Sequence, residues 1–96
     1  MLDTGKTLTG AAELTNAVGL HARPSVKLTQ LAKRFQSTVE FAIKADGPWV
    51  DAKSPVKVMR AKAPKGTLLH IATKGPDAEA ALAAVVALIK DKFGEE

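Results

Sequence analysis

The sequence predicts an α+β domain with the order βαββαβα, in which four strands form an antiparallel sheet and three helices cover one of its faces. Three observations predict it: apolar and polar residues alternate in short stretches, apolar residues recur at helical spacing between them, and glycine and proline separate the two patterns. The alternation leaves one sheet face polar, as is typical of antiparallel sheets. The 96 residues are 46% apolar, enough for one small core. We therefore expect a single domain over 1–96, loosely ordered over 1–6.

The first half of the chain is expected to form a strand, a helix and a hairpin. Alternation over 7–15 predicts the first strand, and the helix is expected from Ala22 to about Gln36. A second alternating stretch, 38–44, is separated by an Asp-Gly-Pro turn from a short strand over 49–52, so these two strands are expected to pair. The apolar positions expected along the helix are Ala22, Val26, Leu31, Ala32 and Phe35.

The second half is expected to form a helix, a strand and a last helix. Ser54 followed by Pro55 is typical of a helix start, with serine at N-cap and proline at the first helical position. A strand is predicted over 67–73, and Asp77 is expected to cap the last helix. The apolar residues of that helix recur at helical spacing and form one stripe, which comprises Leu82, Val85, Val86, Ile89 and Phe93.

Composition and charge exclude several function classes. The chain has no cysteine, which excludes disulfides, thiolate chemistry and Cys-rich zinc sites; no metal or cofactor is predicted, and His70 is expected on the polar face of a strand. The formal charge is +4, but the cations are scattered and aromatic residues are few, so an acidic protein partner is favoured over nucleic acid. Neither a signal peptide nor a membrane-spanning run is recognisable, so we expect a cytoplasmic monomer without membrane insertion.

The stretch from Gly19 to Pro24, Gly-Leu-His-Ala-Arg-Pro, is the candidate functional site. His21 is expected just before a helix, where unpaired N–H groups and the helix dipole favour an anion such as a phosphate carried on the imidazole. Arg23 offers a planar cation that fits phosphate oxygens, Pro24 pre-sets a helical φ, and Gly19 permits a sharp turn. The alternatives are a turn histidine that packs locally and an arginine that is simply a solvated charge.

With these residues, and with Val-Asp-Ala-Lys-Ser at 50–54 followed by Val58 and Met59, the chain resembles the HPr family. These are the histidine-containing phosphocarriers of the bacterial phosphoenolpyruvate-dependent phosphotransferase system. The resemblance extends from about Leu8 to Phe93 and implies an HPr-like open-faced β-sandwich. It implies that His21 accepts a phosphoryl group at Nδ1 from phospho-enzyme I and passes it to an enzyme IIA-type acceptor, while Arg23 stabilises the transferring group.

The resemblance implies two further roles. Ser54 matches the serine that, in some bacteria, a dedicated kinase phosphorylates and a phosphorylase dephosphorylates. The alternative is that Ser54 is only the N-cap of a helix, which by itself is a complete structural explanation. Family partners dock on the first two helices around the histidine, and the alternative for the apolar members of that surface is the core. The docking residues expected here are Val26, Lys27, Lys53, Val56, Lys57 and Met59.

Two other functions are weighed against the phosphocarrier. Ser25 follows His21 by four residues, but it lacks a Gly-x-Ser-x-Gly turn and an orienting acid, so a hydrolase is disfavoured. The remaining alternative is a regulatory binding protein of the same fold, in a nitrogen-related branch of the system or with a kinase or transcription-factor partner.

Overall fold

A computed structural model describes residues 6–95, and its elements follow the predicted order. The sequence predicts loose order over 1–6, and of these residues 1–5 lie outside the described part of the chain. The elements are β1 (Leu8–Glu13), α1 (Arg23–Ala32), β2 (Thr38–Ala42), β3 (Val50–Asp51), α2 (Pro55–Ala61), β4 (Leu68–Lys74), α3 (Ala78–Lys90) and a 3₁₀ turn (Lys92–Gly94).

The four strands form one antiparallel sheet in the order β1-β4-β2-β3. Ile71 of β4 lies opposite Gly10 of β1 on one side and Phe41 of β2 on the other. The hairpin of β2 and β3 pairs Glu40 with Asp51, as expected. The three helices lie on one face of this sheet, so the predicted α+β open-faced sandwich is confirmed.

Alternation along the strands builds the core, as β4 illustrates. Leu69 and Ile71 are buried beneath the helices, whereas His70 between them is half-buried on the other face, where it was expected. The helix α3 presses Val85 and Ile89 against this layer. Each such buried side chain contributes about 1.5–3 kcal/mol of hydrophobic free energy, so this interface holds the helical layer that carries the candidate site.

The helix α1 is shorter than the sequence indicated. It ends at Ala32 and not near Gln36, because the N–H groups of Arg34 and Phe35 bond back only three residues, to Leu31 and Ala32. This tighter pattern is typical of a helix end.

The face that α1 buries also differs from the prediction. Ser25 and Thr29 are buried beside Leu28 and Ala32, whereas Val26 is exposed. Val26 therefore lies on the surface, where a docking residue is expected, and its alternative assignment to the core does not apply. Small hydroxyl side chains fill the positions that face the rest of the protein, and a pattern based on hydrophobicity alone assigns those positions to solvent.

The hairpin strands are also shorter than predicted. The strand β2 ends at Ala42 and β3 consists of two residues only, so Ile43 and Trp49 lie outside the sheet and are exposed.

Asp77 does not cap α3 with its side chain, contrary to the prediction. Its carboxylate accepts hydrogen bonds from the N–H groups of Gln36 and Ser37, at 3.0 and 2.8 Å, and from the Ser37 hydroxyl at 2.5 Å. These donors lie in the loop after α1, so Asp77 joins that loop to the start of α3.

The apolar stripe of α3 also needs a correction at its end. The helix stops at Lys90, and Lys92 and Phe93 then adopt positive φ values of 56° and 58°. This turn returns the Phe93 side chain to the core, where it is fully buried. The expected burial of Phe93 is confirmed, but a turn places it there and not the helix.

Candidate functional site

The loop before His21 is held in a single shape by hydrogen bonds at both ends. The Asn16 side chain donates to the Gly19 carbonyl at 2.8 Å, and the Leu20 N–H donates to the Ala63 carbonyl at 2.8 Å. Gly19 has a φ of 66°, and a Cβ there would press on the Ala63 carbonyl and lie 2.7 Å from the Pro64 carbonyl carbon. Only glycine fits this turn without strain, as the sequence suggested.

His21 is the first of three consecutive exposed residues that are flanked by two buried ones. Leu20 is fully buried before it, and Pro24 is buried after it in the first turn of α1. Ala22, the N-cap of α1, has φ 48° and ψ −119°, which an L-residue rarely adopts. Such backbone strain costs about 1–3 kcal/mol and is typically found at functional sites. The strained residue lies directly between the imidazole and the helix.

The start of α1 favours an anion. Helix geometry leaves the N–H groups of Arg23 and Ser25 without intrahelical acceptors, and the first turn holds no acidic residue to offset the dipole. Arg23 is the first helical residue and is exposed, so its guanidinium remains accessible. Pro24 occupies the second helical position instead of the first, where its missing N–H again costs nothing. These groups suit a phosphoryl group on His21.

Exposed apolar side chains surround this end of the molecule. Val26 of α1 is 48% exposed, and Val56 and Met59 of α2 are 59% and 50% exposed, while the two helices pack against each other. The predicted docking residues are therefore surface residues and not core. Val18, also exposed and next to the site, was missed, although an apolar residue just before the Gly-Leu-His turn could have indicated it.

The three predicted docking lysines differ in their surroundings. Lys27 donates to the Phe93 carbonyl at 2.5 Å, and Lys53 donates to the Phe35 carbonyl at 2.8 Å. Lys57 is exposed on α2. Two of these lysines thus donate hydrogen bonds within the fold, whereas Lys57 is exposed.

Ser54 is the N-cap of α2, with Pro55 as the first helical residue, as predicted. Its hydroxyl accepts a hydrogen bond from the Lys57 N–H at 3.4 Å, a long contact for such a bond. Ser54 is partly exposed, and the helix that it begins packs against α1. A charge placed on its side chain would therefore lie on the same helical layer as His21.

The other polar candidates lie apart from this site. His70 borders a depression on the open sheet face with Thr9 and Trp49, and Ser25 is buried on the inner side of α1 with its hydroxyl inaccessible. Over 6–95, no group of three or more potential metal ligands occurs. Within the same range, no helix is long and apolar enough to cross a membrane.

Comparisons with known proteins place this chain and its fold among phosphocarrier proteins. The family model described as PTS HPr component phosphorylation site matches residues 8–91. The phosphocarrier protein HPr of Cupriavidus necator is 46% identical over 82 residues, which cover 85% of this chain and 90% of the relative. The phosphocarrier protein NPr of Escherichia coli K12 is 34% identical over 90 residues, which cover 94% of this chain and 99% of the relative. A crystal structure of HPr-C-His from Thermoanaerobacter tengcongensis superposes with a TM-score of 0.82 and is 37% identical in sequence. The superposition covers 95% of this chain and 98% of the other.

Proposed function

The chain belongs to the HPr family of phosphocarrier proteins, and on this premise we propose that His21 receives a phosphoryl group from phospho-enzyme I and passes it to an enzyme IIA-type acceptor. The observation that carries the proposal is the exposed imidazole at the N-terminus of α1, followed by strained Ala22 and exposed Arg23. We place this relay in the cytoplasm.

In this relay the carrier is a substrate of other proteins and forms a phosphohistidine. The unprotonated ring nitrogen of His21 attacks phosphorus, the P–N bond to the donor histidine breaks, and the electron pair of that bond returns to the donor imidazole; the His21 imidazole releases one proton and the donor imidazole takes one up. A PO₃ group therefore moves from one imidazole to another. Arg23 stabilises the charge on the transferring group, and the free N–H groups of α1 orient it.

The site binds the phosphoryl group weakly enough to release it. A helix N-terminus stabilises an exposed anion by typically about 0.3–1 kcal/mol. Because His21 and Arg23 are both exposed, solvent and the next acceptor reach the group directly. These properties suit a carrier, which must lose the group as readily as it gains it.

Partner proteins are proposed to dock on α1 and α2. The exposed apolar residues Val18, Val26, Val56 and Met59 supply contact area, and Lys57 steers an acidic partner. Charge on Ser54, at the start of α2, would weaken docking and thereby regulate transfer.

A direct test is phosphorylation by enzyme I and phosphoenolpyruvate. We expect one acid-labile phosphate per chain, none in His21→Ala, and normal labelling in the control His70→Ala. Acid-stable label, or label retained in His21→Ala, would contradict the carrier role.

A second candidate is a regulatory binding protein that signals through its phosphorylation state. The observation that favours it is the exposed apolar surface on α1 and α2, which can bind proteins that do not transfer phosphate. Equal affinity of a bound regulator for the phosphorylated and unphosphorylated chain would argue against this function.

A further inference from the structure

Two adjoining depressions of about 350 and 290 Å³ lie between α2 and the β2–β3 loop (43–49). Both are lined by Val50 of β3 and by Ala61 at the end of α2, so they form one elongated groove. We call this feature the loop–α2 groove. The other side chains that shape it are those of Ile43, Pro48 and Trp49 in the loop and of Lys57 and Arg60 in α2.

The loop supplies an apolar wall to this groove. Ile43 and Trp49 are 45% and 37% exposed, Pro48 between them is exposed, and Val50 is half-buried. Apolar residues that are exposed singly are common on protein surfaces, but a contiguous apolar surface around one groove indicates a binding site. The groove therefore offers contact area to an apolar molecule.

Cations border the apolar wall. Lys57 and Arg60 are three residues apart in α2, so they lie on the same face of the helix. Both are exposed, and within residues 6–95 neither forms an ion pair. Lys44 adds a cation to the second depression, whereas Asp51 is the carboxylate of the lining, and one of its oxygens accepts the Lys53 N–H at 2.9 Å. The charge balance of the lining is therefore positive.

We propose that the loop–α2 groove binds an amphipathic anion, a carboxylate on an apolar chain of medium length. The chain lies against Ile43 and Trp49, and the carboxylate pairs with Arg60. Small-molecule sites typically measure roughly 300–1,000 Å³ and combine apolar walls with a few polar groups, as this groove does. The site does not involve His21, so this binding activity goes beyond the proposed carrier function.

The first test uses the fluorescence of Trp49, which is the single tryptophan of the chain and lines the groove. Decanoate should shift the emission of Trp49 to shorter wavelength in a saturable manner, because its chain displaces water from the indole. Acetate has the charge without the chain, and decyltrimethylammonium has the chain with the opposite charge, so neither should saturate over the same concentrations. No saturable response to decanoate, or equal responses to decanoate and decyltrimethylammonium, would overturn the proposal.

The second test removes the cation and the apolar wall separately. Arg60→Gln should weaken decanoate binding by about three- to fivefold, the size expected for one exposed charge pair. Ile43→Ser should weaken it at least as much, because an apolar contact is lost. Both residues are exposed, so neither variant opens a cavity in the core. The matched controls are Arg34→Gln beyond the end of α1 and Leu68→Ser, which is 49% exposed on β4. Losses no larger than those of the controls would refute the assigned contacts.

A third test distinguishes the groove from the neighbouring sheet face. Trp49 also borders the depression that contains His70, so fluorescence alone does not separate the two places. His70→Ala should bind decanoate like the wild type, and a loss equal to that of Arg60→Gln would place the ligand on the sheet face and contradict the proposal. His21→Ala should also bind decanoate normally. The binding site and the carrier function are thus tested independently, since a chain that accepts no phosphate can still bind the anion.

Discussion

At the scale of single residues, the candidate site joins an exposed imidazole, a strained backbone and a cation within three consecutive positions. His21 is exposed, Ala22 carries the strain, and Arg23 begins α1. A cation in the first turn of a helix opposes the dipole, so Arg23 weakens the helix slightly. We therefore expect Arg23 to serve the phosphoryl group during the proposed transfer and not the stability of the helix.

Arg23→Ala should therefore impair transfer without destabilising the fold. We expect a rate at least about tenfold lower, or roughly 1.4 kcal/mol in the transition state, with an almost unchanged Tm. Rapid-quench measurement of transfer from phospho-enzyme I tests this, with Arg34→Ala, an exposed cation beyond the end of α1, as the control. Equal rates for the two variants would make Arg23 an ordinary surface charge.

At the scale of elements, the loop after α1 and the start of α2 are each stabilised by a side chain that accepts a hydrogen bond from a backbone N–H. Ser54 caps α2 locally, whereas Asp77 bonds to the loop after α1 from a position 40 residues away. Both contacts hold the helical layer on which partners are proposed to dock.

Two substitutions of Ser54 separate its structural and regulatory roles. Ser54→Asp should keep the Tm, because aspartate also caps helices, and should raise the KM for phospho-enzyme I, most strongly at low salt. Ser54→Ala should lose about 0.5–1 kcal/mol of stability, since the hydrogen bond replaced is long, and should transfer normally. If Ser54→Asp transfers like the wild type, Ser54 is a cap alone.

Asp77 should make the free energy of unfolding depend on pH in the acidic range. The Ser37 hydroxyl, and then the Gln36 N–H, hold the pKa of the Asp77 carboxyl below its ordinary value. Since the folded-state pKa is the lower one, the stabilisation is complete above about pH 4 and is lost as the pH falls through the folded-state value.

Asp77→Asn should accordingly be less stable than the wild type at pH 7, and the difference should shrink as the pH is lowered below about 4. Urea denaturation across this range measures it, and Asp46→Asn in the exposed hairpin turn is the control. A difference in stability that does not change with pH would exclude the charged form of Asp77 as its cause.

At the scale of the whole molecule, the site depends on packing between distant segments. The loop before His21 rests on the chain that leaves α2, through Gly19 and Leu20 against Ala63. This contact couples the position of the imidazole to that of α2.

A pair of glycine substitutions tests this coupling. Gly19→Ala should cost more than about 2 kcal/mol, because it adds a backbone clash to an unfavourable φ, whereas Gly66→Ala should cost only about 1 kcal/mol. Gly66 has a φ of 95°, and a Cβ added there would meet no atom within 4 Å, so this position isolates the conformational cost. Equal losses in chemical denaturation would show that the Ala63 contact is not restrictive.

The order of elements, the cap of α2 and the stretch around His21 could all be predicted from the sequence. Strand alternation, the Ser54-Pro55 start and the Gly19 turn depend on residues close together in the chain, so local patterns predict them. The HPr resemblance rested on the same local motifs, and the family comparison confirmed it.

The partners of the polar side chains, in contrast, emerge only when the elements pack together. Lys27 contacts a carbonyl 66 residues away, and Asp77 bonds to donors about 40 residues away instead of capping its own helix. The turn that returns Phe93 to the core depends equally on packing between elements. This is because each polar group bonds to the best-placed donor or acceptor in space, and the distance along the chain does not reveal which one that is.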